Sequence, residues 1–234
     1  MPTSDLSAIK PSPSLQGRRI TADFVADALR EAIQSGRLAD GAVLNQAAIA
    51  EHFGVSRVPV REAMRQLMAE GLIETEAHHL AVVRSIPLSR IRELYDYRAL
   101  IEGYITERAV PNISAEQVER LRKKERAMRR VKDHDRWLRL NSEWHAEILA
   151  AGGDETGLEL VDQLKSRVER YMRMWSTGEG VHRPKEAGEE HARILDLIAA
   201  GDAKGARAAV EDHIRRTGER LVAYGESVRR AEAA

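Results

Sequence analysis

The sequence predicts a mostly α-helical chain: an N-terminal winged helix-turn-helix followed by an all-helical, antiparallel bundle. Three observations carry this. Apolar residues recur at helical spacing almost everywhere after residue 20. The only strand-like window is short, with Leu72-Ile73 and then Leu80 to Val83. Two short helical stretches, joined by a Gly-led turn, stand directly before that window.

Composition narrows the field. The 234 residues carry 37 Lys+Arg and 37 Asp+Glu, so net charge excludes a polyelectrolyte tail protein. There is no Cys, which excludes disulfides, thiolate metal sites and thiol catalysis. Aromatics at 4% disfavour base-stacking platforms. No stretch approaches the about 18 apolar residues of a membrane span, and the first residues lack a signal-peptide core. The expectation is a cytoplasmic protein that makes no use of a membrane. Residues 1–16, with Pro11 and Pro13, read as a flexible tail, 17–85 as a small first unit that holds the strand-like window, 86–90 as a linker and 91–228 as an all-helical unit.

Phe24, Ala28, Leu29 and Ile33 predict an amphipathic helix ending at Ser35-Gly36, and Asp40-Gly41 predicts a turn. Asn45 can cap a helix over Gln46–Phe53 that stops at Gly54. Ser56 can cap the next, which tolerates Pro59 in its first turn and runs to about Glu70, with Gly71 as its exit. On that helix Arg57, Arg61 and Arg65 share one face, while Val60, Ala63, Met64 and Leu67 can bury. Arginines at the N-terminal end are placed where a recognition helix meets base edges and phosphates. A solvated basic face paired with Glu62 is the alternative. His78 and His79 at the wing tip are candidate DNA contacts or exposed turn histidines.

Six helices are expected beyond Pro87, near 88–110, 114–132, 134–151, 155–177, 185–200 and 203–225. Val161, Leu164, Val168, Tyr171 and Trp175 form a plain core stripe. Other stripes are interrupted: His145 and Asn141 lie between Leu138 and Ile148, His191 between Ala187 and Ile194, His213 between Val210 and Thr217, and Arg98 between Leu94 and Ile101. Buried polar groups cost a few kcal/mol apiece unless paired or bound to metal. Three histidines on three helices, with Asn141 one turn before His145, can converge into a ligand set for a divalent transition metal. Satisfied core histidines are the plainer alternative for each one singly. His52, His134 and His182 fall outside the pattern and read as surface residues.

Two resemblances follow from these residues. ALREAIQSGRL (28–38), LNQAAIAEHFGVSRVPVREAMRQLMAEGLIE (44–74) and the wing resemble GntR-family bacterial regulators. The resemblance implies that Arg57 and Arg61 contact operator DNA, with Ser56 and Val58 near its backbone. LYDYRALIE (94–102), LNSEWHAEIL (140–149) and EEHARILDLIAAGDAKGARAAVEDHI (189–214) resemble the FCD effector domain of the FadR-type subgroup. That resemblance implies one metal held by His145, His191, His213 and the residue at 141, which is Asn here where Asp is usual. Zinc or nickel fits imidazole best. The neutral Asn141 leaves the site more positive, which favours an anionic effector, with Arg98 as its anchor and Glu102 beside it; an Arg98 pair with Glu102 or Glu147 is the alternative.

Three departures from the family stand out: Asp40-Gly41 for Pro-Gly, Gln46-Ala47-Ala48 early in the second helix, and Ala77-His78-His79-Leu80 at a wing tip that usually holds Gly. The expected function is a ligand-responsive regulator, a repressor by the commoner family mode. It would bind palindromic double-stranded operator DNA as a homodimer and sense a small organic acid. One alternative is a metal-dependent, hydrolase-like enzyme, against which stands the lack of an HExxH motif. Another is a regulator whose effector binds the His/Arg pocket without metal.

Overall fold

The computed structural model describes residues 22–75, 80–176 and 184–232. The expected tail over 1–16, the wing-tip pair His78 and His79, and His182 lie outside the described residues. By packing, the chain forms two compact units. One comprises Met1–Ile86 with Glu169–Met174, the other Pro87–Val168 with Trp175–Ala234.

The first unit is built on three helices. α1 (Ala22–Gln34) buries Val25, Ala26, Leu29, Ala32 and Ile33. Phe24 and Ala28, expected on that face, are partly buried at its margin, because the apolar stripe is wider than the contact it makes. Asn45 caps α2 (Gln46–Phe53): its side chain accepts from the backbone N–H groups of Ala47 at 2.8 Å and Ala48 at 3.2 Å. Gly54 ends α2 in the left-handed region at φ 65°, so the chain turns directly into α3 (Arg57–Ala69). Ser56 precedes α3 in extended conformation but makes no side-chain cap bond, unlike the expectation. Its hydroxyl is left for another partner.

The wing has three strands where two were expected. β1 (Val43–Leu44) and β2 (Ile73–Thr75) pair antiparallel on either side of β3 (Ala81–Val83), in the order β1-β3-β2. The extra strand is too short to show a period: Val43 meets Val82 and Leu44 meets Ala81. Its register comes from the partner rather than from local pattern.

From Leu88 onward the described residues form helices and no strand: α4 (Leu88–Ala109), a 3-10 turn (Val110–Asn112), α5 (Ala115–Met128), α6 (His134–Ala150), α7 (Glu155–Ser176), α8 (Pro184–Ala199) and α9 (Ala203–Glu232); all belong to the second unit except Glu169–Met174 of α7, which groups with the first. Starts are capped locally. Ser114 and Gln117 form a reciprocal capping box for α5, and Asp133 accepts from the Arg136 N–H at 2.7 Å for α6. α9 runs to Glu232, past the end expected near 225, because no breaker follows. α4 packs chiefly on α9, with Tyr95 lying over Gly218, where a side chain would clash. α8 packs on both α5 and α9. Among the described residues no helix is long and apolar enough to cross a membrane.

Candidate functional site

α3 places its buried face, Val60, Ala63, Met64 and Leu67, against the apolar core of the first unit. Helical geometry then turns Arg57, Arg61 and Arg65 to solvent on the opposite face. Val58 is also exposed, at 56%. Arg65 is paired with Glu62, donating at 2.9 and 3.0 Å. Among the described residues, Arg57 and Arg61 have no ion-pair partner. The first turn of α3 therefore offers two uncommitted guanidinium groups beside an uncapped helix N-terminus. That is a site for phosphate and base edges.

The second constellation lies inside the helical unit. His145 from α6, His191 from α8 and His213 from α9 converge, each buried, with one ring nitrogen from each within 4.8 Å of the others. Ring centroids are 5.4 Å apart for His145–His191, 5.2 Å for His145–His213 and 4.8 Å for His191–His213. Zn–N bonds of about 2.0–2.1 Å need ring nitrogens roughly 3.3 Å apart, so a small inward rotation of the rings completes such a set.

Burial, and then the neighbouring His213 and His191, hold the His145 imidazole well below its usual range; Lys165 and Arg98 add to this. Burial and then His213 and Arg129 do the same to His191. Neutral imidazoles with free lone pairs are the state that binds metal. The buried Nε2 of His191 and Oδ1 of Asn141 have no hydrogen-bond partner among the described residues. Asn141 stands one turn before His145 on α6. An orphaned ring nitrogen in the cluster and an orphaned amide oxygen one helical turn from His145 are polar atoms that a cation can satisfy. The residues present fit a divalent ion.

Two supports were missed by reading stripes alone. Glu190 Oε2 lies 2.6 Å from His213 Nδ1, and Glu190 Oε1 accepts from Arg220 at 2.8 Å. Half-burial works against the Glu190 carboxylate, but His213 and Arg220 outweigh it and hold its pKa low. With Nδ1–H donating to that carboxylate, the Nε2 lone pair of His213 is free. Trp144 stacks on His191, with centroids 4.3 Å apart. Each residue directly precedes a site histidine in sequence, and that adjacency was the available signal.

Arg98 lies buried on α4 and donates through Nε to Glu102 Oε1 at 2.9 Å, with the Tyr95 ring 4.8 Å from its guanidinium carbon. Burial opposes its charge, yet Glu102 and Tyr95 raise its pKa above the ordinary value. Glu147 instead pairs with Lys124 and Arg120. Glu102 is fully buried; its Oε2 has no hydrogen-bond partner among the described residues and sits 4.0 Å from His145 Nδ1. The structure thus brings Arg98 and Glu102 to the margin of the histidine cluster, already bonded to each other.

Comparison with known proteins follows the same division. Residues 21–79 match the family of bacterial regulatory proteins called gntR, and residues 93–216 match the FCD domain. The gluconate operon transcriptional repressor of Bacillus licheniformis is 31% identical over 182 residues, 76% of this chain and 73% of that protein. A protein of Paenarthrobacter nicotinovorans named "Probable D-xylose utilization operon transcriptional repressor" is 29% identical over 204 residues, 84% of this chain and 88% of that one. The solved structure of E. coli McbR/YncC matches with a TM-score of 0.71 at 20% identity, over 87% of this chain and 98% of that one.

Proposed function

We propose a function on one premise: the chain belongs to the gntR family of bacterial regulatory proteins and carries an FCD domain. It is therefore a DNA-binding transcriptional regulator and not an enzyme. Beyond that premise, the protein is a repressor that binds a palindromic operator as a homodimer and responds to a small organic acid. Repression is supported by the two relatives above, both named as repressors. The reading helix is α3, with Arg57 and Arg61 on bases or phosphates, Ser56 and Val58 against the backbone, and Arg65 at the edge. A two-fold dimer sets two such helices about 34 Å apart, one turn of DNA.

The effector side rests on one observation: three buried histidines converge from three helices, with burial pushing His145 and His191 well below their usual range, and the amide oxygen of Asn141, one turn before His145, is orphaned. His145, His191, His213 and Asn141 hold a divalent transition metal, zinc or nickel by ligand type, and Glu190 orients His213. A bound divalent ion would supply a positive centre that attracts a carboxylate. With three neutral imidazoles and a neutral amide, the site keeps the full +2 charge of the ion. Arg98 is the second anchor. Its Nε and one amino group are already directed to Glu102, so the effector takes the remaining N–H groups or displaces that carboxylate.

Metal analysis of tag-free protein tests this directly. We expect about one divalent ion per chain, lost in the His145→Ala/His213→Ala double variant. Unchanged metal content in that variant would sink the site. A thermal-shift screen of carboxylic acids identifies the effector, since a ligand at 100 times its Kd adds about 2.7 kcal/mol. An effector that binds equally well after chelation favours the histidine and arginine pocket without metal.

A further inference from the structure

Charge is not spread evenly along this chain. Residues 120–139 hold 10 Lys/Arg against 3 Asp/Glu, a net charge of +7, so the other 214 residues carry −7. Six of those cations are exposed: Lys123 and Arg126 of α5, Arg130 and Lys132 of the turn that follows, and Arg136 and Arg139 of α6. None of the six side chains forms an ion pair among the described residues. Their neighbours Arg120, Arg122 and Arg129 are all paired, with Glu147, Asp196 and Glu125. Lys123 and Arg126 lie on the face of α5 turned away from its buried Val118, Leu121, Glu125 and Met128. The stretch from Lys123 to Arg130 spans about 10 Å, and one strand of duplex DNA presents about three charges over that length.

Local stability does not ask for this cluster. A basic end suits the dipole of α5, but Arg136 stands in the first turn of α6, where the dipole opposes a cation. Asp133 and Asp135 interrupt the run, and Asp133 is spent accepting the Arg136 backbone N–H. The surroundings of the six select among polyanions. Among the described residues, no large hydrophobic side chain is exposed between Ala115 and Leu140. A membrane-surface helix needs an apolar face to bury, and a protein interface needs aromatic or aliphatic anchors. Single-stranded nucleic acid is held by exposed aromatics, and Trp137 is buried. Exposed cations without apolar neighbours match the phosphate backbone of a duplex.

We propose that Lys123, Arg126, Arg130, Lys132, Arg136 and Arg139 form a second DNA-contact surface, which binds duplex phosphates without regard to sequence. It rests on the chain's being a DNA-binding regulator and goes beyond the α3 reading, which supplies the base contacts. Phosphate contacts hold a protein on the duplex and set its salt dependence, while base contacts specify. The zero net charge of the whole chain does not oppose this, because exposed charges are screened beyond about 8–10 Å and the local excess decides.

Fluorescence anisotropy of the full chain on a mixed-sequence duplex of about 30 bp, titrated from about 50 to 200 mM salt, tests the proposal. Lys123→Gln/Arg126→Gln/Arg130→Gln keeps a native far-ultraviolet spectrum, since these exposed side chains hold no partner in place. It weakens binding at about 100 mM salt at least tenfold. It also makes the slope of log K against log salt shallower by about 2–3, at about 0.9 per lost phosphate contact. Arg136→Gln/Arg139→Gln lowers the slope by about 2 and guards against misfolding of the first variant. Arg92→Gln/Lys185→Gln/Lys204→Gln removes the same charge at scattered exposed positions and leaves the slope within about 1 of wild type. Patch variants with a wild-type slope overturn the proposal, and so does a scattered variant that loses as much as they do. Arg57→Ala/Arg61→Ala on the same duplex separates the patch from the α3 reading. A loss there with the patch variants unchanged overturns the patch alone, and a loss in the patch variants supports the patch whatever becomes of α3. Lost retention on phosphatidylserine vesicles without any change on DNA moves the six to a membrane surface and overturns the proposal.

Discussion

The core between Val25 and Val83 is apolar throughout, whereas the interior of the helical unit is laced with charge. Among the described residues, all seven buried polar or charged side chains lie there: Arg98, Glu102, Thr106, Glu125, His145, His191 and His213. The first unit keeps its chemistry on the surface, on an α3 face that contributes nothing to the core. The second keeps the chemistry of its histidine site inside, where each of those groups must also be solvated by the protein. Function and stability are thus separable in one unit and entangled in the other.

The sharpest way to break this contrast is Glu102→Ala. It strands the buried Arg98 guanidinium without its 2.9 Å partner. Loss of about 3–5 kcal/mol of stability is expected, read by denaturant unfolding. A cost below about 1 kcal/mol would mean that water or Tyr95 already carries the charge.

The counterpart in the first unit is Arg57→Ala with Arg61→Ala. Operator affinity falls by about 1–3 kcal/mol for each lost base contact, while the unfolding midpoint stays where it was. Gel shifts like those of wild type would remove α3 as the reading helix. A large drop in stability would show that the two units are not as different as their cores suggest.

Glu190→Gln sharpens the comparison within the helical unit. It keeps the shape around His213 Nδ1 but removes the charge that orients the ring. Metal affinity should fall by about 10–100-fold, as for other lost partners of metal-bound histidine. Chelator-competition titration measures it, and an unchanged affinity would remove Glu190 from the site.

The smallest effect concerns pH. In metal-free protein the folded-state pKa values of His145 and His191 lie below the unfolded value near 6.5. The unfolded chain therefore binds protons first as pH falls. Stability contributed by the neutral rings is full above pH 6.5 and is lost progressively below it, by at most about 1.4 kcal/mol per pH unit for each ring. Melting of chelated protein between pH 7.5 and 5.5 should show that slope. Its absence from the His145→Ala/His191→Ala variant would assign it to these two residues.

Much of this was legible in the residues, because the signals were local. The cap at Asn45, the left-handed Gly54 and the stripes of the helices all depend on neighbours within one or two turns. The same locality explains the misses. Ser56 has the right residue type for a cap, yet makes no cap bond. The strand Val43–Leu44 is two residues long and exists only because β3 passes beside it. Phe24 and Ala28 share the apolar stripe of α1 yet lie at the margin of its contact, because periodicity gives a direction and not the width of the contact.

The histidines mark the boundary between the two kinds of information. Spacing alone places His145, His191 and His213 on inward faces, since a stripe that buries Ile148, Ile194 and Val210 must bury what lies between. Spacing does not say that three helices cross at one height. Only packing brings one nitrogen of each within 4.8 Å, and the same packing sets Glu190 on His213 and spends Arg98 on Glu102. Which face a residue takes follows from 3.6 residues per turn, a property of the chain. Which atoms then meet depends on crossing angles and on the length of every loop between the helices, and those are properties of the folded whole.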